Sequence, residues 1–469
     1  MRTPSLRVAM VIVALVAFAA AAAAVDVPAT FRVQTTADEP HYLVTALSIA
    51  QDGDLDVGPQ YAENAYRPFY AVTLTPQALP RPDGSLVEPH DPLLPVIIAI
   101  PTAVGGWAWA KLTLCLFAAA VATLTLWTSV RRFTVPVIPA ALVAAILGAS
   151  APLAAYGSQV YPEIVGALAT LAAVAALTGP MRRGGLAVVA IAVLALPWLA
   201  VKYAPVAVVL ALLALWRLWR SGRPHAAVGL GVGLAAAAVV FLVAHEALYG
   251  GTTPYAAGSY FVDGQLQVIG SHPDYVGRSR RLVGLFVDRD FGIAAWQPAW
   301  LLLIPALGAL AARRPRGSLA LVLPMAAGWL VATFVALTMQ GWWFPGRQLV
   351  VVLPLAAVVI AWWVRDGGWR LVAFVAAGAV GVLAQAWVVA EGLRGDLAWV
   401  INLQSTANPL YRAWREVLPD YLREDAATWP LHWAWAALAI GVAAWSYRDA
   451  LRRPAPDPPE QGAAVPHRA

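Results

Sequence analysis

Two adjacent carboxylates stand in the most chemically loaded stretch of the chain, Thr35-Thr36-Ala37-Asp38-Glu39-Pro40-His41-Tyr42, a few residues beyond the first apolar segment. A carboxylate held at a membrane surface is suited to general-base work, because it can take the proton of an attacking hydroxyl. In the following residues, LVTALSIAQDGDLDV, Leu43, Ala46, Leu47 and Ala50 recur at helical spacing. The spacing predicts a short amphipathic helix lying in the interface and ended by Gly53. Asp38 has an alternative role as its N-cap, with Pro40 in the first turn. Glu39 has one as a first-turn carboxylate favoured by the helix dipole.

Cations suited to an anionic ligand lie further along. Arg347 sits between the aromatic run Trp342-Trp343-Phe344 and an apolar segment, at the depth of lipid headgroups; the alternative is an interfacial anchor. Lys202 stands between two apolar segments, where an ionisable group is a functional candidate by default, with snorkelling as the alternative. Arg67, beside Tyr66 and Pro68, is a third candidate, whereas Arg278, Arg280 and Arg281 read more simply as a solvated run. His90, with Glu88, Asp91 and His41, offers donors for a divalent cation, but no His-Glu-x-x-His code is present, so a metal stays open. Glu163 follows Pro162 at a helix start, where a substrate-binding carboxylate and a dipole-favoured one look alike. Glu246, beside His245, is equally ambiguous. Cys115 is the single cysteine, which excludes an internal disulfide or a Cys-based zinc site.

These residues must be positioned by a chain of 469 residues that is 60% hydrophobic and 12% charged, with a mean hydropathy of +0.66. A soluble domain carries about 25% charged residues, so the bilayer is the solvent. The pI near 9.5 has no clustered basic face behind it, which argues against nucleic acid. Since a crossing helix needs about 20 apolar residues, the pattern predicts an all-α polytopic membrane protein of about twelve spans. They lie near 8–25, 104–130, 135–155, 161–178, 185–201, 204–219, 226–248, 294–311, 318–338, 348–364, 370–390 and 430–447.

With the N-terminus inside, every short Arg-rich loop falls on the cytoplasmic side, together with 18 of the 32 cations and only four of the 26 acids. Residues 1–453 then form one transmembrane domain in the plasma membrane, and the acidic chemistry is external. Three long outer loops follow, near 26–92, 249–293 and 391–429, and loops of that length usually carry function. The Pro-rich end, 454–469, reads as a disordered cytoplasmic tail. The N-terminal stretch, MRTPSLR followed by an apolar run, also fits a cleaved signal peptide, with no change to the topology after it.

The acidic pair Asp38-Glu39 followed by Tyr42, in a long first outer loop of a polytopic chain, resembles the GT-C glycosyltransferases, the class that contains protein O-mannosyltransferases and lipid A aminoarabinose transferases. Glu88-Pro89-His90-Asp91-Pro92-Leu93-Leu94-Pro95 is similar to the Pro-rich loop end of such enzymes, and Ser158-Gln159-Val160-Tyr161-Pro162-Glu163 to their Tyr-Pro-Glu entry to a span. Pro197-Trp198 with Lys202-Tyr203, the Asp288-Arg289-Asp290 segment and Pro345-Gly346-Arg347 extend the resemblance over about 35–355. It implies a GT-C-like fold and inverting transfer of a sugar from a polyprenyl-phosphate donor to an acceptor hydroxyl of a glycan, lipid or protein at the outer face. Asp38 would be the base and Glu39 its partner or an acceptor ligand. Tyr42, Arg67, His90, Glu163, Lys202 and Arg347 would bind substrate.

Two other classes fit a polytopic chain. A transporter would bury ionisable groups near the midplane and break helices in related halves, whereas the charges here sit at span ends. A non-catalytic envelope scaffold would leave Asp38 without a task.

Overall fold

The computed structural model describes residues 5–259 and 273–453. The protein is all-helical, with 69% of its residues in helices, no strand among the described residues and an isolated bridge between Ala78 and Gly258. The principal helices are α1 (Leu6–Ala22), α2 (Glu39–Gln51), α3 (Leu93–Phe133), α4 (Val137–Gly148), α5 (Glu163–Leu177), α6 (Arg183–Leu199) and α7 (Ala204–Arg220). They continue with α8 (Pro224–Tyr249), α9 (Leu303–Arg313), α10 (Ser318–Leu330), α11 (Leu353–Trp363), α12 (Gly368–Arg394) and α13 (Thr428–Arg452).

Five helical segments are long and apolar enough to cross a membrane: Leu93–Phe133, Val201–Arg220, Pro224–Ala257, Ser318–Val335 and Gly368–Arg394. The apolar helices at Leu6–Ala22, Val137–Gly148, Glu163–Leu177, Arg183–Leu199, Pro298–Arg313 and Leu353–Trp363 are shorter. Two helices mark the extremes of environment. α11 is apolar all round and buried along its whole length, which makes it the centre of the core. In α8 only 6% of the apolar window is buried, and Val228, Val232, Val239, Val240, Leu242 and Val243 are exposed. An apolar surface of that extent has the bilayer as its solvent.

Local chemistry moved several expected boundaries. The span expected near 104–130 is the later part of α3, which begins at Leu93 and breaks at Gly105-Gly106. Gly106 has φ 65° and ψ −161°, a conformation open in practice only to glycine, and Pro101 a turn earlier supplies no amide donor. The span expected at 135–155 stops at Gly148, where the Ser150 hydroxyl donates back to the Ile146 carbonyl (2.7 Å) and Pro152 follows.

The largest departure concerns α2. It ends before Gly53 (φ 78°), as its spacing predicts, but it is no surface helix, since every residue from Glu39 to Ala46 is buried. Lys111, fully buried in α3, donates to the Gln34 carbonyl (2.6 Å), and the Thr35 hydroxyl donates to the Phe69 carbonyl (3.0 Å). These bonds draw the head of α2 into the core. The expected tail at 454–469 and positions 260–272 of the second long loop lie outside the described residues.

Candidate active site

The ends of several helices meet around a cavity of about 210 Å³. Asp38 and Tyr42 reach it from the head of α2, His90 and Asp91 from just before α3, Pro162 from just before α5, Lys202 from between α6 and α7, and Arg347 from the turn that precedes α11. Five residues expected to carry chemistry (Asp38, Tyr42, His90, Lys202 and Arg347) thus line one space, and Glu163 lies directly behind two of them. The N-terminal ends of α3 and α5 also lie at this end of the protein, where the helix dipole favours an anion.

Arg347 organises the site. Its Nη2 donates to Asp38 Oδ2 (3.1 Å) and its Nε to Glu163 Oε1 (2.9 Å), while the guanidinium lies 4.1 Å from the Tyr161 ring centroid and 5.2 Å from that of Trp343. Its side chain is 9% exposed, so it is no interfacial anchor. Lys202 Nζ donates to the same Glu163 oxygen (2.9 Å) and to Gln348 Oε1 (3.5 Å), so its ammonium does not snorkel away from the site. Glu163 is the first residue of α5, fully buried, and its Oε2 has no hydrogen-bond partner. Its dipole-favoured position and its role as counter-ion to two cations coincide.

Asp38 does not cap α2. Its backbone is helical (φ −81°, ψ −14°), and its side chain accepts no amide hydrogen bond from the first turn. The carboxylate instead takes Arg347 on one oxygen and Gln77 Nε2 (3.5 Å) on the other, and the Asp38 amide donates to the Tyr161 hydroxyl (3.3 Å). Burial works to raise its pKa. The Arg347 guanidinium, with His90 and His41, outweighs that and holds it at about 2. His90 is pushed down to about 4 by burial, against the pull of Asp38 and Glu88, so it is a neutral imidazole at pH 7. Its Nδ1 is buried without a partner, and its ring packs 4.5 Å from that of Tyr42.

Around this centre the loops are pinned by further polar groups. His41 Nδ1 meets Glu88 Oε1 (3.0 Å) and the Tyr61 hydroxyl (2.8 Å), and that hydroxyl donates to Glu88 as well (2.5 Å). Asp91 accepts from the Val201 amide (2.8 Å) and pairs with His245 Nε2 (2.9 Å). These histidines and acids are committed to each other, and among the described residues no group of three or more His, Cys, Asp or Glu is arranged to hold a metal ion.

Two expected site residues are not brought to the cavity. Both Glu39 oxygens accept backbone amides, from Val160 (2.8 Å) and Thr36 (3.0 Å), so this buried carboxylate staples the head of α2 to the turn before α5. Arg67 is exposed and donates to the Ala71 carbonyl (2.6 Å) within its own loop. Glu246 is exposed as well, and Arg280 and Arg281 are tied to Glu424 and to the carbonyls of Ala336 and Leu337. Gln77 and Tyr255, which also line the cavity, carry no signal of pattern or charge in the sequence. No family model matches the chain, and no curated protein or solved structure matches it.

Proposed function

We propose that the protein is an inverting glycosyltransferase of GT-C-like fold that crosses the plasma membrane about twelve times. In this reading it takes a sugar from a polyprenyl-phosphate donor and attaches it to an acceptor hydroxyl at the outer face. The observation that carries this reading is a carboxylate free of any capping duty, Asp38, sharing a cavity with the guanidinium of Arg347 and the ammonium of Lys202. The cavity is smaller than the ~300–1,000 Å³ of a drug-sized site and suits one sugar ring or phosphate, with the lipid chain left outside. The concentration of basic loops at the opposite helix ends supports the outward orientation.

The chemistry follows from the charges. The acceptor O–H attacks the anomeric carbon and its proton passes to Asp38. The bond from that carbon to the phosphate oxygen breaks, and the lipid phosphate leaves as an anion on the other face of the sugar. Arg347 spends one N–H on Asp38 and one on Glu163, and Lys202 one on Glu163 and one on Gln348. A guanidinium has five donors and an ammonium three, so both retain hydrogen bonds for the leaving phosphate. A carboxylate with a pKa near 2 is a weak base. A phosphate that engages Arg347 loosens its hold on Asp38 and raises that basicity as the hydroxyl becomes acidic. In this reading His90, neutral and with Nδ1 unpartnered, hydrogen-bonds a sugar hydroxyl.

The test is turnover of radiolabelled lipid-linked sugars in reconstituted membranes by wild type and Asp38→Asn, with a panel of pentosyl and hexosyl donors. Transfer by the wild type that falls by about two to four orders of magnitude in the variant supports the reading. Equal transfer removes Asp38 from the mechanism, and no transfer with any donor overturns the enzyme reading.

A further inference from the structure

A second and larger cavity, of about 1170 Å³, lies at the opposite ends of the same helices. Five arginines line it: Arg132 near the end of α3, Arg217 and Arg220 at the end of α7, and Arg314 and Arg316 between α9 and α10. No carboxylate lines it, and among the described residues none of the five is in an ion pair. The neighbouring basic cluster is built differently, for there Arg365 meets Asp366 (3.5 Å), while Arg370 (2.7 Å) and Arg453 (3.0 Å) meet Asp449. One basic group carries its own counter-ions and the other lacks them.

The few bonds that the five arginines make leave most of their donors unused. Arg132 Nε donates to the Ala175 carbonyl (2.9 Å) and Arg217 Nη2 to that of Gly179 (2.6 Å), which satisfies the end of α5. Arg314 turns back to the Ala311 carbonyl (3.3 Å), and Arg220 and Arg316 make no hydrogen bond among the described residues. Like charges gathered at a low-dielectric surface repel, and an anion with several acceptor oxygens relieves that repulsion through charge-assisted bonds. The cavity's other wall is apolar. Leu213, Leu307 and Val322 lie along it, and Trp216 and Leu319, 55% and 53% exposed, continue it outwards. A free phosphate would fill a small part of this volume and leave the apolar wall without a use.

We propose that this cavity binds the phosphate headgroup of an anionic phospholipid from the adjoining leaflet, with its acyl chains along the α7 and α10 wall. Basic pockets between membrane helices suit such headgroups. The inference is independent of catalysis, since none of these residues belongs to the Asp38 site.

The experiment uses purified full-length protein in neutral detergent, titrated with phosphatidylglycerol, phosphatidylcholine or inorganic phosphate, and read by native mass spectrometry and thermal midpoint. Phosphatidylglycerol is expected to stay bound and raise the midpoint, with phosphatidylcholine and inorganic phosphate inert. The double variant R220Q/R316Q removes two exposed arginines that hold nothing in the fold, and is expected to weaken phosphatidylglycerol binding about tenfold or more. R182Q/R183Q removes as much charge from the same end, outside the cavity, and is expected to leave binding unchanged. Equal loss in that control, equal binding of both lipids, or the same midpoint shift from inorganic phosphate would overturn the proposal. So would lipid binding that appears only after deletion of 454–469, which would make the cavity a seat for the chain's own tail.

Discussion

The cavity around Asp38 and the cluster around Asp288 use the same residue types, carboxylates, arginines and tyrosines beside long loops, yet their bonds differ in kind. Asp288 accepts amides from Asp290 (3.0 Å), Phe291 (2.6 Å) and Tyr421 (3.2 Å), and the Tyr411 hydroxyl donates to Asp290 (3.2 Å). Arg289 gives its donors to the carbonyls of Arg415 (3.1 Å) and Leu418 (3.3 Å) and lies 3.6 Å from Asp420. That cluster latches one loop to another: the bonds of Asp288 and most of those of Arg289 go to backbone, while Asp290 is held by the Tyr411 hydroxyl. At Asp38 the carboxylate and cations bond to other side chains at the wall of a cavity, with few backbone partners and donors to spare. A charged group whose bonds go to backbone builds the fold, whereas one whose bonds go to other side chains beside a cavity can exchange them for a ligand.

The largest effect expected from this difference is on transfer. Asp38→Asn should lower turnover by about two to four orders of magnitude. Asp288→Asn, which keeps a carbonyl oxygen for the turn, should leave turnover per folded molecule within about threefold. Similar losses in the two variants would erase the distinction between a reactive and a structural acid.

Next in size is the cost of removing Arg347. From the sequence it reads as a headgroup-depth cation that can be lost cheaply, but it is 9% exposed and neutralises both Asp38 and Glu163. Breaking a buried pair by deleting one partner costs about 3–5 kcal/mol. Arg347→Ala should therefore lower the thermal midpoint sharply, and Arg347→Lys, which keeps the charge but not both bonds, should fall between it and wild type. A midpoint unchanged in Arg347→Ala would mean that these ion pairs do not hold the site together.

The parts of this site that can be read from sequence are those that break the rules of an apolar chain. Asp38, Lys202 and Arg347 are ionisable groups at the ends of apolar runs, where an unpaired charge is costly, and the structure accordingly brings them to one cavity. Gln77 and Tyr255 are neutral loop residues. Their positions come from contacts between distant loops, such as the Ser259 amide on the Gln77 carbonyl (2.7 Å), which no local pattern encodes. Glu39 and Arg67 lie off the cavity, because charge and neighbours reveal a residue's chemistry but not whether the backbone nearby consumes it. The fold divides likewise: hydropathy locates the helices, but Gly105-Gly106 and Ser150 set where they bend or stop, and the buried Lys111 pulls α2 inside.

A smaller effect separates the two acids by pH. Burial holds the Asp288 carboxyl up at about 7, with three backbone amides pulling the other way. The unfolded value is about 4. Between these values the native chain keeps a proton that the unfolded chain releases, so this group's contribution to stability falls as pH rises from about 4 to 7 and is level above. Asp38 has the opposite sign: its native pKa of about 2 lies below the unfolded one, so its stabilisation is present above about pH 4 and lost as pH falls towards 2. His90, depressed to about 4, adds a slope opposite to that of Asp288 at mildly acid pH, so the informative quantity is a difference between proteins. Thermal midpoints measured from pH 5 to 8 should differ between wild type and Asp288→Asn by an amount that changes with pH. The difference between wild type and Asp38→Asn should stay constant, and a curve that slopes for Asp38 and is flat for Asp288 would reverse the comparison.

The smallest effect is expected at Arg67, which tests whether the same distinction holds for cations. Like Arg289 in the latch, Arg67 spends a donor on a carbonyl of its own neighbourhood, that of Ala71 (2.6 Å), and its guanidinium lies 5.8 Å from the Tyr66 ring. Unlike Arg347, it is exposed and meets no carboxylate among the described residues. An exposed hydrogen bond and an exposed ring contact are each worth about 1 kcal/mol or less. Arg67→Ala should thus change the thermal midpoint slightly, and turnover of the lipid-linked donor by less than about twofold, because no donor bond is lost from the cavity. If turnover instead fell tenfold with the midpoint unchanged, Arg67 would reach the substrate from outside the cavity, and the ligand would extend across the first loop.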